Sequence, residues 1–306
     1  MLSRIAENLY WLGRYIERAE NTARLLDVNY YAVAEAPVEG IATGWWGRIL
    51  QALEVDDLEP TEETVVQWLA FDLHNASSIR SCIWRVRENA RTTRFYLNLE
   101  IWEEINQLYN QCYHNTEQVM VQESLHEYCV AVRKASHQIM GIAEATLPRD
   151  LGFYFMRLGR YLERADNMLR VLQAYIGGGE MSRETEIQNH FNRSLLRSVG
   201  ALESYRKIHH TTLDLPRIGE FLLLNSDFPR SVRFSVDGLK RAAEAVYQHS
   251  DGVGKEAVRR VGKLSSTLEY LENANQVFRK RDPDLEELLE ALANIHVELS
   301  LVYFGY

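Results

Sequence analysis

A fifteen-residue phrase occurs twice in this chain, which restricts the fold to architectures that can be assembled from two copies of one unit. Residues 12–26 read LGRYIERAENTARLL and residues 158–172 read LGRYLERADNMLRVL. Gly13, Arg14, Tyr15, Glu17, Arg18, Ala19, Asn21 and Arg24 recur as Gly159, Arg160, Tyr161, Glu163, Arg164, Ala165, Asn167 and Arg170, each 146 positions further on. A long internal period is the signature of a repeated structural unit. A second echo follows in the same order. FDLHNASSIRS at 71–81 returns as FLLLNSDFPRS at 221–231, keeping Phe71, Leu73, Asn75, Arg80 and Ser81 as Phe221, Leu223, Asn225, Arg230 and Ser231 at an offset of 150. The expectation is a tandem duplication of about half the chain.

The unit is helical. Ile5, Leu9, Leu12, Ile16, Ala19, Ala23 and Leu26 are spaced by alternating fours and threes, a single helical stripe. Similar spacing predicts helices over 62–73, 78–98, 100–112, 117–140, 150–176, 184–206, 229–248, 254–279 and 284–304. Only 6 Pro and 17 Gly interrupt 306 residues, and no hairpin-flanked alternation of period two is present. The predicted fold is an all-α helical bundle of two tandem duplicated halves related by a pseudo-two-fold axis. The halves are 1–147 and 148–306, forming one compact unit, with Pro148 ending one helix near the start of the next. Ser3 is the expected N-cap of the first helix, and Asp282 followed by Pro283 that of the last. Gly177-Gly178-Gly179 reads as a helix stop; it has neither the lysine nor the spacing of a phosphate loop.

A formal net charge of −9 argues against broad binding to nucleic acid or anionic membrane, while leaving room for one basic pocket. Cys82, Cys112 and Cys129 form neither a disulfide framework nor a zinc pattern. The opening MLSRIAENLYW lacks the features of a secretory signal, and no run of 18 apolar residues occurs. A cytoplasmic location is expected. All six Trp lie in the first half, as core filling or as an aromatic wall beside a ligand.

The repeated polar residues carry the chemistry. At 100° per residue, Arg14, Glu17, Arg18, Asn21 and Arg24 span an arc of about 120°. A solvated helix face would explain one copy. Two copies with the same identities, and with Lys never replacing Arg, point instead to the planar, bidentate guanidinium. Either the stripes pair across the halves as a buried network, or they line a cleft for a carboxylate or phosphate. The second echo adds Asn75, Ser78, Arg80 and Ser81, followed by Arg87, Asn89 and Arg91, a polar set denser than its copy; Asn75 and Asn225 could equally be helix N-caps. His209-His210 has no partner at metal spacing, and HExxH, GxSxG and local Cys–His signatures are missing. No cofactor or metal is expected.

MLSRIAENLYWLGRYIERAENTARLL, NASSIRSCIWRVRENAR and FLLLNSDFPRSV resemble the alpha-E domain family over nearly the whole chain. The resemblance implies an all-helical protein encoded beside, or fused to, a circularly permuted ATP-grasp ligase-like protein, often with a transglutaminase-like protein nearby. It further implies a part in an ATP-dependent amide- or peptide-forming system, with the ligase acting in trans. The motif positions are Arg14, Glu17, Arg18, Asn21, Arg24, Asn75, Arg80, Ser81, Arg87, Asn89 and Arg91; Arg160, Glu163, Arg164, Asn167, Arg170 and Arg230 are their counterparts within this chain. The leading expectation is an accessory subunit that binds an anionic substrate or the ligase itself. The alternatives are an independent enzyme using Glu17 or Glu163 as acid/base, and a scaffold with no substrate site. An exposed aromatic stripe leaves a homodimer open.

Overall fold

The computed structural model describes residues 2–36, 42–114, 122–177, 185–210, 213–271, 273–274, 278 and 284–305, and among them every regular element is a helix. In chain order these are α1 (Ser3–Ala34), α2 (Ala42–Ala52), α3 (Glu62–Val66), α4 (Ile79–Thr92), α5 (Leu99–His114), α6 (Gln122–Thr146) and α7 (Leu151–Leu172). They continue with α8 (Thr185–Ser198), α9 (Leu202–His209), α10 (Leu215–Leu224), α11 (Val232–His249), α12 (Lys255–Glu269) and α13 (Leu285–Leu299). π-helical turns extend α3 over Gln67–Phe71, α7 over Gln173–Gly177 and α13 over Ser300–Phe304.

α1 and α7 form the spine. They cross where Gly13 meets Gly159, each glycine lying under the other helix's backbone. A Cβ on Gly13 would stand 2.1 Å from the Met156 carbonyl oxygen, and one on Gly159 would stand 1.9 Å from that of Tyr10. Only hydrogen fits at either point, so the two repeated glycines set how closely the helices approach. α1 also packs on α4, α6 and α8, and α7 on α11, α13 and α10. α1 is therefore enclosed well beyond its apolar stripe, and a continuous core runs from Leu9 and Leu12 through Leu158 and Leu162 to Val236 and Leu239. Trp45 and Trp46 are buried in it, with Trp45 Nε1 donating to Asn29 Oδ1 at 2.7 Å; Trp84 is exposed.

Several predicted boundaries shift for local reasons. Helix 78–98 stops at Thr92, with only a 3-10 turn at Arg94–Tyr96 beyond it, and 184–206 divides at Gly200, whose φ of 67° no helix accommodates. Helix 254–279 ends at Glu269. α2 and α10 fall outside the predicted helices: α2 carries adjacent tryptophans between two glycines, and α10 begins with Pro216 in its first turn. The first N-cap is Leu2, without a side-chain bond, rather than Ser3. The last is Asp284, which forms a capping box with Glu287. Asp282, Pro283, Gly178 and Gly179 lie outside the described residues. Pro148 does separate α6 from α7, and Asp150 caps α7 by accepting from the Phe153 amide.

Asn75 and Asn225 are not N-caps. Ser78 caps α4 and Ser231 caps α11. The segments leading to them share one local conformation. Phe71 and Leu224 end the preceding helical segments, and Asp72 and Asn225 each accept an amide two residues on, from His74 and Asp227. The turns thus match Ser78 to Ser231 and Ser77 to Arg230, three residues away from the register of the sequence echo.

Candidate functional site

The repeated polar stripes are buried, so they are not a solvated face. Arg14, Glu17, Asn21, Glu163 and Arg164 are all nearly inaccessible. Their partners lie on the opposite helix. Arg18 grips Glu163 bidentately, Nε to Oε1 at 2.5 Å and Nη2 to Oε2 at 3.0 Å, and Arg14 Nε adds a bond to Oε2 at 2.6 Å. Reciprocally, Arg164 grips Glu17, Nε to Oε1 at 2.6 Å and Nη2 to Oε2 at 2.7 Å, with Arg160 Nε 3.3 Å from Oε2. Such charge-assisted pairs are the strong class of protein hydrogen bond.

These contacts fix the protonation states. Burial alone would raise the Glu163 pKa, but Arg18 and Arg14 outweigh it and hold the carboxyl near 2. Glu17 is likewise held below its ordinary value, with Arg164 foremost against the effect of burial. A carboxylate held this low and fully engaged by arginines is a weak proton acceptor at neutral pH.

Around Glu17 the surroundings are filled. Arg230 Nη2 donates to Glu20 Oε2 at 2.6 Å, its Nη1 donates to Asn21 Oδ1 at 2.8 Å, and Nη1 lies 3.9 Å from Glu17. Arg24 pairs with Glu20 one turn along α1, and Arg164 Nη1 donates to the Pro229 carbonyl at 3.1 Å.

Around Glu163 the same positions open into a cavity of about 390 Å³. α1 contributes Arg14, Arg18 and Thr22, and α7 contributes Leu162, Glu163, Asp166, Asn167 and Arg170. Trp68 and Leu69 come from the π turn after α3, Asn75 and Ser77 from the turn before α4, Leu53 and Glu54 from the turn after α2, and Leu292, Ala293 and His296 from α13. Arg170 bonds Asp166 (Nε to Oδ2, 2.8 Å) and Glu54 at the rim. Glu54 sits at φ 55°, a left-handed conformation rare outside glycine. Asn75 is held by donating to the Trp68 carbonyl and accepting from the Ser77 amide, and Ser77 Oγ accepts from Arg18 Nη1 at 3.3 Å.

His296 is neutral at this wall: burial, followed by Arg14, lowers its pKa to about 4. Its Nδ1 lies 2.8 Å from the Tyr10 hydroxyl, which also accepts from Arg14 Nη1 at 3.4 Å.

The cavity gathers Arg14, Arg18, Asn75, Glu163, Asn167 and Arg170 from the sequence candidates, while Glu17, Asn21, Arg24, Arg160, Arg164 and Arg230 form the filled cluster. The remaining candidates lie elsewhere. Arg80 stacks on Tyr113 with its Cζ 4.6 Å from the ring centroid, and Ser81 Oγ is 3.4 Å from the Leu73 carbonyl. Arg87 bonds Asn106 and lies over Tyr109, Arg91 pairs with Glu88, and the Asn89 carbonyl accepts from Thr93. Glu20 and Asp166 differ in identity, so the repeated letters do not mark them; their shared negative charge at matching repeat positions does. Ser77, Trp68 and His296 carried no such signal. Among the described residues no group of three or more His, Cys, Asp or Glu could hold a metal ion, no helix is long and apolar enough to cross a membrane, and the three cysteines are buried free thiols.

The Alpha-E family model, described as a predicted alpha-helical domain with a conserved ER motif, matches residues 1–304. Glu-Arg pairs stand here at Glu17-Arg18 and Glu163-Arg164, the residues that exchange partners across the spine. Uncharacterized proteins of Mycobacterium bovis and Mycobacterium tuberculosis are 22% identical over 97% of this chain, which spans 35% of their length. No solved structure matches.

Proposed function

The chain belongs to the Alpha-E family, and from that premise we propose that it is a helical accessory subunit of an ATP-grasp-type amide or peptide ligase system, holding a small carboxylate-bearing substrate in the cavity at Glu163. One observation carries this reading: Arg14 and Arg18 converge on a single carboxylate at the cavity wall, which leaves one positive charge uncompensated beside a space large enough for a small molecule. Guanidinium groups of this kind suit an incoming carboxylate. The family resemblance supplies the ligase context. The greater length of the mycobacterial relatives supports a domain that works next to other units, with a transglutaminase-like protein as a further candidate partner.

The same reading takes the chain as a tandem duplication in two halves meeting near Leu147-Pro148 about a pseudo-two-fold axis. The reciprocal Gly13/Gly159 crossing and the exchanged Glu-Arg pairs support it. Duplication followed by divergence would leave the Glu17 cluster as a structural lock and the Glu163 cluster as the site. The filled surroundings of Glu17 favour a scaffolding role for that cluster alone. Independent acid/base catalysis by either glutamate is disfavoured by their depressed pKa values.

The test mixes the purified chain with the ATP-grasp protein encoded beside it and follows ADP release across amino acids and short peptides, with products identified by mass. Turnover that needs both proteins and is lost in Arg18→Ala is the expected result. Turnover indifferent to this chain, with no association between the two proteins, overturns the proposal.

A further inference from the structure

We infer that the cavity at Glu163 receives a guanidinium group, so that its ligand is an alkylguanidinium compound: a free amino acid of the arginine type or an arginyl side chain. This rests on the proposed function only in taking the cavity as a ligand site; it does not depend on the ligase.

The chain itself shows what this set of groups binds. In the Glu17 cluster the Arg230 guanidinium is held by Glu20 and Asn21, with Glu17 3.9 Å away. The residues one repeat along are Asp166, Asn167 and Glu163, and all three line the cavity. The turn that delivers Arg230 has a counterpart before α4, matched through an accepting Asp72 or Asn225 side chain at its start and a serine cap at its end. That turn places Ser77 where the other has Arg230. A serine hydroxyl cannot span the gap that a guanidinium spans. Arg80, which the sequence echo aligns with Arg230, lies against Tyr113.

The groups prepared for a cation remain. Asn167 makes no side-chain hydrogen bond among the described residues, whereas its counterpart Asn21 accepts from Arg230. Asp166 and Glu54 outnumber Arg170 at the rim, so that end carries net negative charge, while Arg14 and Arg18 outnumber Glu163 at the other. A ligand with a carboxylate at one end and a guanidinium at the other complements both.

Calorimetric titration of the full chain alone with L-arginine, agmatine and L-citrulline tests this. L-Citrulline keeps the backbone charges and replaces guanidinium by a neutral urea. Saturable one-to-one binding of L-arginine, with L-citrulline weaker by roughly tenfold or more, is expected. Agmatine binding as tightly as L-arginine would mark a site that reads a side chain; tighter L-arginine binding would mark a free amino acid. Ser77→Arg, which supplies the guanidinium from within, should abolish binding and raise the melting temperature. Asp166→Asn should weaken binding and stands in if Ser77→Arg does not fold. No saturable binding of either guanidinium compound, equal binding of L-citrulline, or binding indifferent to the substitution measured overturns the inference. If binding holds and ADP release remains independent of the chain, only the ligase reading fails.

Discussion

The two Glu-Arg crossings are built from the same residue types and end as different objects. At Glu17, two arginines from α7 and a third from the turn before α11 close the cluster, and Glu20 and Asn21 are consumed in doing so. At Glu163, two arginines from α1 make the same grip, but the turn before α4 presents Ser77 and the cluster faces a cavity. An ion-pair motif therefore does not by itself say lock or site. The side chain arriving from a third element decides.

The largest predicted effect separates the two glutamates. Glu17→Gln strands Arg164 and Arg160, while Arg230 keeps Glu20 and Asn21, and should cost about 3–5 kcal/mol, the range for breaking a buried pair. Glu163→Gln leaves Arg14 and Arg18 beside a cavity that water can enter, and should cost less, about 3 kcal/mol at most. Chemical denaturation of both variants checks this; equal losses would erase the proposed distinction between lock and site.

Next in size are Gly13→Ala and Gly159→Ala. Each pushes a methyl into the facing backbone, and each should cost about 3 kcal/mol, the upper end for overpacking. The losses should be nearly equal. If one alanine is tolerated and the other is not, the crossing is not reciprocal.

Acid titration sharpens the comparison further. The Glu163 pKa is depressed in the folded state to about 2, so its contribution is full above its ordinary value of 4.5 and is lost as pH falls toward 2. That amounts to about 3 kcal/mol. The slope of stability against pH over this window should flatten in Glu163→Gln. An unchanged slope would mean that the Arg14/Arg18 grip is weaker than its geometry.

The smallest effect comes from His296, whose pKa falls from 6.5 to about 4 on folding. Its contribution is complete above 6.5 and declines as pH drops to about 4, reduced by partial exposure. His296→Gln should remove the component of the slope between those values and leave the Glu163 component in place. NMR titration of the imidazole checks the value directly.

Much of this molecule is legible along the chain. Apolar spacing locates most of the helices, because 3.6-residue periodicity reports directly which residues share a face. The repeated phrase marks Arg14, Arg18, Glu163 and Asn167 as functional candidates without any structure. It misses α2 and α10, where tertiary packing overrides weak local signals, and it places the second echo three residues out of register. That error hides the match between Ser77 and Arg230, since side chains of different length and charge leave no trace of shared position.

Sequence alone determined the helical class, the two Glu-Arg phrases and the glycines beside them, all properties of local periodicity and residue identity. The tertiary structure decided which carboxylate each arginine holds, that the stripes are buried, and which of the two clusters stays open. Those outcomes depend on two helices approaching until their backbones touch at Gly13 and Gly159, and on which side chain a distant turn then delivers to each cluster. Both are long-range geometric facts that no spacing within a single helix encodes.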